Sequence, residues 1–259
     1  MQYVIWKINS DGVGTITLNR PEKRNALNEQ LVIELKEVLD LARTDNSCKI
    51  VVIESSGEAF CAGADLEYLQ KLQKNSFEEN VQDSTNLMEL FKTIYTFPKI
   101  IISKVDGPAI AGGCGLATVT DFCFASNKAT FGYTEARIGF VPAIVMVFLL
   151  RKIGEGKARE ILLTGEVFGA DRAKHLGLVN EVIDAAELND YVNHFAINLV
   201  SKNSGRSLAL IKEMIATIPE KNLNEALTYA AQKNAEMRES EDCKKGISAF
   251  LNKEKISWR

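Results

Sequence analysis

The stretch Ile110-Ala111-Gly112-Gly113-Cys114-Gly115-Leu116 decides how the rest of the chain is read. It follows an apolar, β-rich run, Ile100-Ile101-Ile102-Ser103-Lys104-Val105, which ends at Asp106-Gly107-Pro108. It leads into Leu116-Ala117-Thr118, small residues that can open a helix. The glycines therefore sit where a strand gives way to a helix N-terminus. Backbone N–H groups there lack intrahelical acceptors, the helix dipole adds positive potential, and the missing Cβ atoms admit a ligand. One reading is an oxyanion hole; the other is a tight packing turn between strand and helix, which the glycines alone favour.

Upstream the pattern repeats. Ile50-Val51-Val52-Ile53 is a buried-strand candidate, and Phe60-Cys61-Ala62-Gly63-Ala64-Asp65-Leu66 follows it: a strand, then Ala-Gly, then a helix start. Two such turns from successive strand-helix units can converge their N–H groups on one oxygen, so the pair says more than either alone. Asp65 suits an N-cap better than acid chemistry.

Around these turns, residues 3–9 and 13–19 form two β-rich runs about Asp11-Gly12, a hairpin pattern. The basic turn Asn19-Arg20-Pro21-Glu22-Lys23-Arg24-Asn25-Ala26-Leu27 precedes a helix capped by Asn28. That helix sets Leu31, Leu35, Val38, Leu39 and Ala42 on an apolar face and Glu34, Lys36, Glu37 and Asp40 on a mainly acidic one. A long helix is expected from Phe77 to Phe97, stopped by Pro98, with Val81, Leu87, Leu90, Phe91 and Ile94 apolar. Beyond the glycine turn come short strands near 123–125 and 129–131. From Gly154 onward the pattern is mostly helical, at 157–163, 170–175, 187–201, 208–215, 223–237 and 240–251, interrupted by one β run at 178–183. The first two-thirds is thus mixed α/β, and the last third helical.

The 259 residues, 46% hydrophobic and 25% charged, suit one large domain or a domain with a helical appendage. A net charge of −3 argues against general nucleic-acid or membrane-surface binding, so an anionic ligand must meet local positive charge. Five cysteines, at 48, 61, 114, 123 and 243, are odd in number and lack CxxC spacing. They indicate neither a disulfide framework nor a zinc site, and a cytoplasmic location is expected. The N-terminus reads as a strand without signal-peptide anatomy. The longest apolar run, Ile138 to Leu150, contains Pro142 and falls short of the ~20 residues of a membrane helix. It reads as buried core or subunit interface. There is no G-x-S-x-G, no P-loop and no complete dinucleotide fingerprint. His175 and His194 each stand alone, so no metal site is expected, and catalysis falls to a carboxylate and backbone amides.

Seven stretches in order resemble the crotonase (enoyl-CoA hydratase/isomerase) superfamily over essentially the whole chain. They are 19–27, 60–66, Gly107-Pro108-Ala109-Ile110-Ala111-Gly112-Gly113-Cys114, Thr130-Phe131-Gly132-Tyr133-Thr134-Glu135-Ala136-Arg137-Ile138-Gly139, Leu163-Thr164-Gly165, Ala173-Lys174-His175-Leu176-Gly177-Leu178-Val179, and 246–251. The resemblance implies an α/β fold: a spiral of repeated ββα units over residues 1–200 and a helical trimerisation region over 201–259. Trimers or dimers of trimers are implied. It also implies an acyl-CoA thioester substrate, with CoA entering as part of that substrate and no separate cofactor. The thioester oxygen would accept hydrogen bonds from the N–H groups of Ala64 and Gly112, and Glu135 would act as general acid/base. Family-like CoA positions are Lys23 and Arg24 near the phosphates, with Ala26, Ala62, Gly63, Asp65 and Leu66 beside the adenine and pantetheine. Phe250 and Lys253 would reach a neighbouring subunit's CoA. From helical spacing alone, Phe250 is a core residue beside Ile247 and Leu251.

Two departures from the family pattern stand out. Two-glutamate hydratases carry one glutamate where this chain has Gly115 and the other at Glu135. After Pro142, where hydratases often have a glycine-rich run, this chain has Ala143-Ile144-Val145-Met146-Val147-Phe148, which should reshape the acyl pocket or the subunit contact. A lone carboxylate suits a 3,2-enoyl-CoA isomerase, which moves one proton from C2 to C4. Yet Gly115 together with residues 135–143 looks like methylglutaconyl-CoA hydratases, and somewhat like carrier-protein dehydratases of polyketide β-branching. Hydration or dehydration of a short, branched enoyl thioester is therefore the leading expectation, ahead of isomerisation and of a catalytically silent CoA-binding role. Some relatives bind RNA through a lysine-studded helix; the acidic face of residues 28–43 argues against that here.

Overall fold

The computed structural model describes residues 1–258. Its strands are β1 (Val4–Ile8), β2 (Val13–Leu18), β3 (Ile50–Ser55), β4 (Ile100–Val105), β5 (Ala109–Ile110), β6 (Phe122–Ser126), β7 (Thr130–Gly132), β8 (Val167–Gly169) and β9 (Glu181–Ile183). Its helices are α1 (Glu29–Thr44), α2 (Leu66–Leu72), α3 (Phe77–Tyr95), α4 (Gly112–Thr118), α5 (Ala143–Thr164), α6 (Ala170–Leu176), α7 (Leu188–Lys202), α8 (Gly205–Thr217), α9 (Leu223–Arg238) and α10 (Glu241–Leu251).

β1 and β2 form the expected hairpin, and β2, β3, β4, β6 and β9 follow in parallel to make a six-stranded sheet. Because crossover helices cover both faces, β3 and β4 open on continuous apolar runs, residues 50–53 and 100–102. The two-residue period still sorts them. Val51, Ile53 and Ile101 face the main core with α1, α3 and α4, whereas Ile50, Val52, Ile100 and Ile102 face α7 through Leu188, Val192, Ala196 and Val200.

The smaller sheet, β5-β7-β8, is extended by two isolated bridges, Cys61 to Ala109 and Leu27 to Ala64. Each long strand thus turns into a short stretch of a second layer and then into a helix: β2 to Leu27 to α1, β3 to 61–64 to α2, β4 to β5 to α4, β6 to β7 to α5. This is the spiral of ββα units, an α/β architecture.

The structure corrects four readings of the sequence. Glu34 does not belong to a solvated acidic face: it is buried, and its carboxylate accepts hydrogen bonds from the N–H groups of Gln2, Tyr3 and Val4, tying down the first strand. The helix after the glycine turn begins at Gly112 rather than Leu116, so the glycines form its first turn. The helix expected from 157 begins at Ala143, with a break at Gly154, whose φ of 75° and ψ of 167° are non-helical. The apolar run 138–150 is not a buried segment of this chain. Ile138, Phe140 and Val141 are exposed, and α5 buries only Val145 and Leu149 of it, which leaves the interface alternative.

The C-terminal helices are pinned to the core by an unusual group. Lys212 of α8 is buried and its Nζ lies 2.6 Å from the Asp121 carboxylate, which also accepts the Ile101 N–H at 2.7 Å. Burial pushes the lysine pKa down and the aspartate pKa up.

Candidate active site

The Gly63–Ala64 peptide is oriented by Leu27. The Leu27 N–H donates to the Gly63 carbonyl at 2.7 Å, and the Asp65 N–H donates to the Leu27 carbonyl at 2.8 Å. In a trans peptide the N–H points opposite to the C=O, so the Ala64 N–H is turned away from Leu27. Among the described residues it has no hydrogen-bond acceptor. Gly63 has a φ of 90°, and a Cβ there would lie 2.9 Å from both the Ala111 Cβ and the Ile110 carbonyl oxygen, so only glycine lets the two turns meet.

The second turn turns its amide out by strain. Ala111 holds φ 53° and ψ −126°, a region that L-residues avoid. Its N–H is fixed by the Gly132 carbonyl at 2.7 Å, and its carbonyl accepts the Gly115 N–H at 3.1 Å inside α4. The Gly112 N–H therefore faces out of the first helical turn, and it too has no acceptor among the described residues. With Cys61 paired to Ala109, three residues further on set Ala64 abreast of Gly112. Both are half-buried, on adjoining stretches of the same layer.

The carboxylate comes from the next strand over. β7 pairs with β5, Phe131 to Ala109 and Gly132 to Ile110, so the chain leaving β7 emerges at the same end of this layer as Ala64 and Gly112. Three residues later Glu135 opens a 3-10 turn, Glu135–Ile138. Glu135 is 7% exposed, and its Oε2 is buried with no hydrogen-bond partner among the described residues. Burial pushes its pKa up, an effect its own backbone N–H only partly opposes. Such a carboxyl is poised to exchange protons nearer neutral pH than an exposed one.

What stands at Gly115 is decided by α5. A Cβ added there would land 2.6 Å from the Val145 Cβ, closer still to its Cγ1, and 3.3 Å from the Phe91 Cε1. Phe148 stacks on Phe91 at 6.2 Å and tilts against Tyr95 at 5.2 Å. The two departures noted in the sequence are one arrangement: the bulkier residue of the 142–148 run occupies the volume that glycine vacates.

The remaining expected site residues divide into three groups. Ala26, Ala62, Gly63 and Asp65 lie in the two knitted loops beside Ala64, and Leu66 is exposed at the start of α2. Asp65 caps α2, accepting the Glu67 and Tyr68 N–H groups at 2.8 and 3.2 Å, and its other oxygen pairs with Arg20. Lys23 pairs with Glu67 at 2.6 Å, while Arg24 is exposed. Pro142 caps α5. Phe250 is 84% exposed at the end of α10, with Ile247 and Leu251 also exposed, so the core reading of that helix face does not hold. Phe250 on α10 and Lys253 in the turn after it belong to the C-terminal region, not to the loops carrying Ala64 and Gly112.

A family model for enoyl-CoA hydratase/isomerase matches residues 9–259. The chain belongs to the crotonase superfamily. A Thermus thermophilus protein carrying an enoyl-CoA hydratase name is 40% identical over 247 residues, 95% of this chain and 97% of its own. The trans-2-decenoyl-[acyl-carrier-protein] isomerase of Streptococcus mutans is 29% identical over 94% of this chain and 93% of its own. Among solved structures, an enoyl-CoA hydratase from Shewanella pealeana superposes with a TM-score of 0.93 at 30% identity, covering 99% of this chain and 96% of that one.

In this crotonase, the sequence reading passed over two residues that build the site. Asn25 is fully buried in a left-handed turn with φ 54°. Its side chain accepts the Arg20 N–H and donates to the Ser56 and Ala59 carbonyls, each at 2.8 Å. Arg20 is 7% exposed and faces Asp65. The available sequence cue was Asn25 itself, since asparagine tolerates the left-handed region better than other side chains.

Proposed function

We propose that the protein adds water to, or removes it from, a short and possibly branched 2-enoyl-CoA, 3-methylglutaconyl-CoA being the model substrate. The observation that carries this is that two amides without acceptors among the described residues and one buried carboxyl, its Oε2 likewise unpartnered there, lie at the same end of adjacent short strands. A thioester oxygen placed between the Ala64 and Gly112 N–H groups gains negative charge as hydroxide adds at C3, because the C2=C3 electron pair moves toward the carbonyl. Donors fixed where charge develops stabilise that enolate. Glu135 takes the proton from water as its oxygen bonds to C3, and returns it to C2 on the same face. One carboxyl thus completes the balance, and Val145 and Phe91 leave no place for a second acid at 115.

Isomerisation is the second reading, favoured by that apolar wall and by the likeness to the Streptococcus mutans isomerase. There Glu135 would take the C2 proton of a 3-enoyl-CoA and deliver it to C4 through the same enolate. We further propose that the chain assembles as trimers through surfaces that include the exposed apolar residues of the 138–150 run and α10.

The test incubates purified protein with crotonyl-CoA, 3-methylglutaconyl-CoA and a 3-enoyl-CoA, following the conjugated thioester absorbance. Hydration predicts its loss with the first two. Reaction of the 3-enoyl substrate alone, with gain of absorbance, assigns the isomerase instead. No turnover with any, alongside measurable CoA binding, would leave a silent binding protein.

A further inference from the structure

The loop that precedes α1 is held to the Ala64 loop by a buried ion pair whose place suggests a role in catalysis. Arg20 Nη1 lies 2.6 Å from Asp65 Oδ2, and the two side chains are 8% and 5% exposed. The same Nη1 donates to the Ala26 carbonyl at 3.1 Å, and the guanidinium sits over the Tyr3 ring at 5.2 Å. Asp65 Oδ1 is spent on the first two free N–H groups of α2. Ala26 precedes Leu27, and Asp65 follows Ala64. The ion pair therefore clamps the two residues that flank the Leu27–Ala64 bridge, which is the contact that sets the plane of the Gly63–Ala64 peptide.

We propose that Arg20 and Asp65 are positioning residues: their buried ion pair fixes the direction of the Ala64 N–H at the thioester oxygen, without touching the substrate. The inference rests on the reading of Ala64 and Gly112 as the pair that binds that oxygen. Three features favour this role over fold support alone. Asp65 could cap α2 equally well as serine, so the cap does not require a charge. A buried ion pair is not needed for stability, since apolar replacement of both partners is commonly tolerated. Finally, the neighbouring Asn25 already ties the loops together through its two hydrogen bonds to the Ser56 and Ala59 carbonyls, leaving the ion pair to set local orientation.

The experiment uses the full chain with hexadienoyl-CoA, whose absorbance moves to longer wavelength when its carbonyl is polarised. The double variant Arg20→Met/Asp65→Ser keeps a capping oxygen and leaves no unpaired buried charge, and Arg20→Lys keeps the charge. The double variant should lose about 10- to 100-fold in kcat, the scale of a misplaced catalytic group. Its KM should stay within about 3-fold, the pattern of an interaction made only in the transition state. Its bound hexadienoyl-CoA should show a reduced red shift, and Arg20→Lys should restore part of both kcat and shift. A double variant that folds and retains the wild-type shift and kcat overturns the proposal. So does one that loses kcat, affinity and thermal stability together with an unchanged shift, which marks a merely structural pair. If the wild type itself shows no shift, the reading of the two amides fails, and this inference with it.

Discussion

The two sides of the cleft are made of opposite materials. Around Ala64, the 20–27 and 56–65 loops are stitched by the Arg20–Asp65 ion pair, the two bonds of Asn25 to the Ser56 and Ala59 carbonyls and the backbone pair of Leu27. Gly115 faces Phe91 and Val145, with Phe148 stacked on Phe91, and the buried Glu135 Oε2 finds no partner among the described residues. Polar stitching holds the Ala64 main-chain donor still, because an amide acts only through its direction. Burial does the reverse for the acid: it withholds solvation, so the proton is held more tightly than on an exposed glutamate. One side fixes a direction, and the other disfavours charge.

The strongest way to break this contrast is to remove the acid. Glu135→Gln should lower kcat by about 10²–10⁴-fold while leaving CoA affinity intact, measured by steady-state kinetics and calorimetry. Retained turnover would detach Glu135 from the chemistry. On the polar side, Ala64→Pro deletes one donor that makes no internal hydrogen bond, and Gly63 before it tolerates the ring. A loss of about 10²–10³-fold in kcat is expected, with the fold checked by circular dichroism. A variant with unaltered kcat would remove Ala64 from the site.

Smaller effects sharpen the apolar side. Gly115→Ala should destabilise the protein by about 1–3 kcal/mol in denaturant unfolding, because its methyl meets Val145, and adding Val145→Ala should recover most of that loss. Equal stability of the single variant and wild type would show that the wall yields. The smallest effect is on stability itself. Glu135 has a raised pKa in the folded state, so the folded protein binds that proton more tightly than the unfolded chain does. Its contribution is therefore present at low pH and lost as pH rises through the folded pKa. Glu135→Gln should accordingly be more stable than wild type at neutral pH, with the advantage vanishing in acid. In the hydration proposed above, the same shift places the acid limb of the rate at higher pH than an exposed glutamate would give.

Much of this was legible in local sequence. The two Ala-Gly turns, the Asn28 and Asp65 caps, and the β1–β2 hairpin all depend on near neighbours in the chain, where periodicity and capping chemistry speak directly. What escaped was set by contacts distant along the chain. Glu34 looks solvated by helical spacing, and only the return of residues 2–4 buries it. Gly115 and Val145 each read as a separate oddity, because no spacing rule reports that α5 lies across α4. Phe250 shows the opposite error: helical spacing groups it with Ile247 and Leu251, but spacing cannot say whether this chain supplies the surface they would cover.

The link between Lys212 and Asp121 makes the last third of the chain more than an attachment. A protein cut short before α8 would lose the nearest countercharge of an aspartate that is one-fifth exposed even with α8 in place, and would open that group further to water. Truncation would thus be felt at the carboxylate that holds the Ile101 N–H of β4, at a point remote from the severed end.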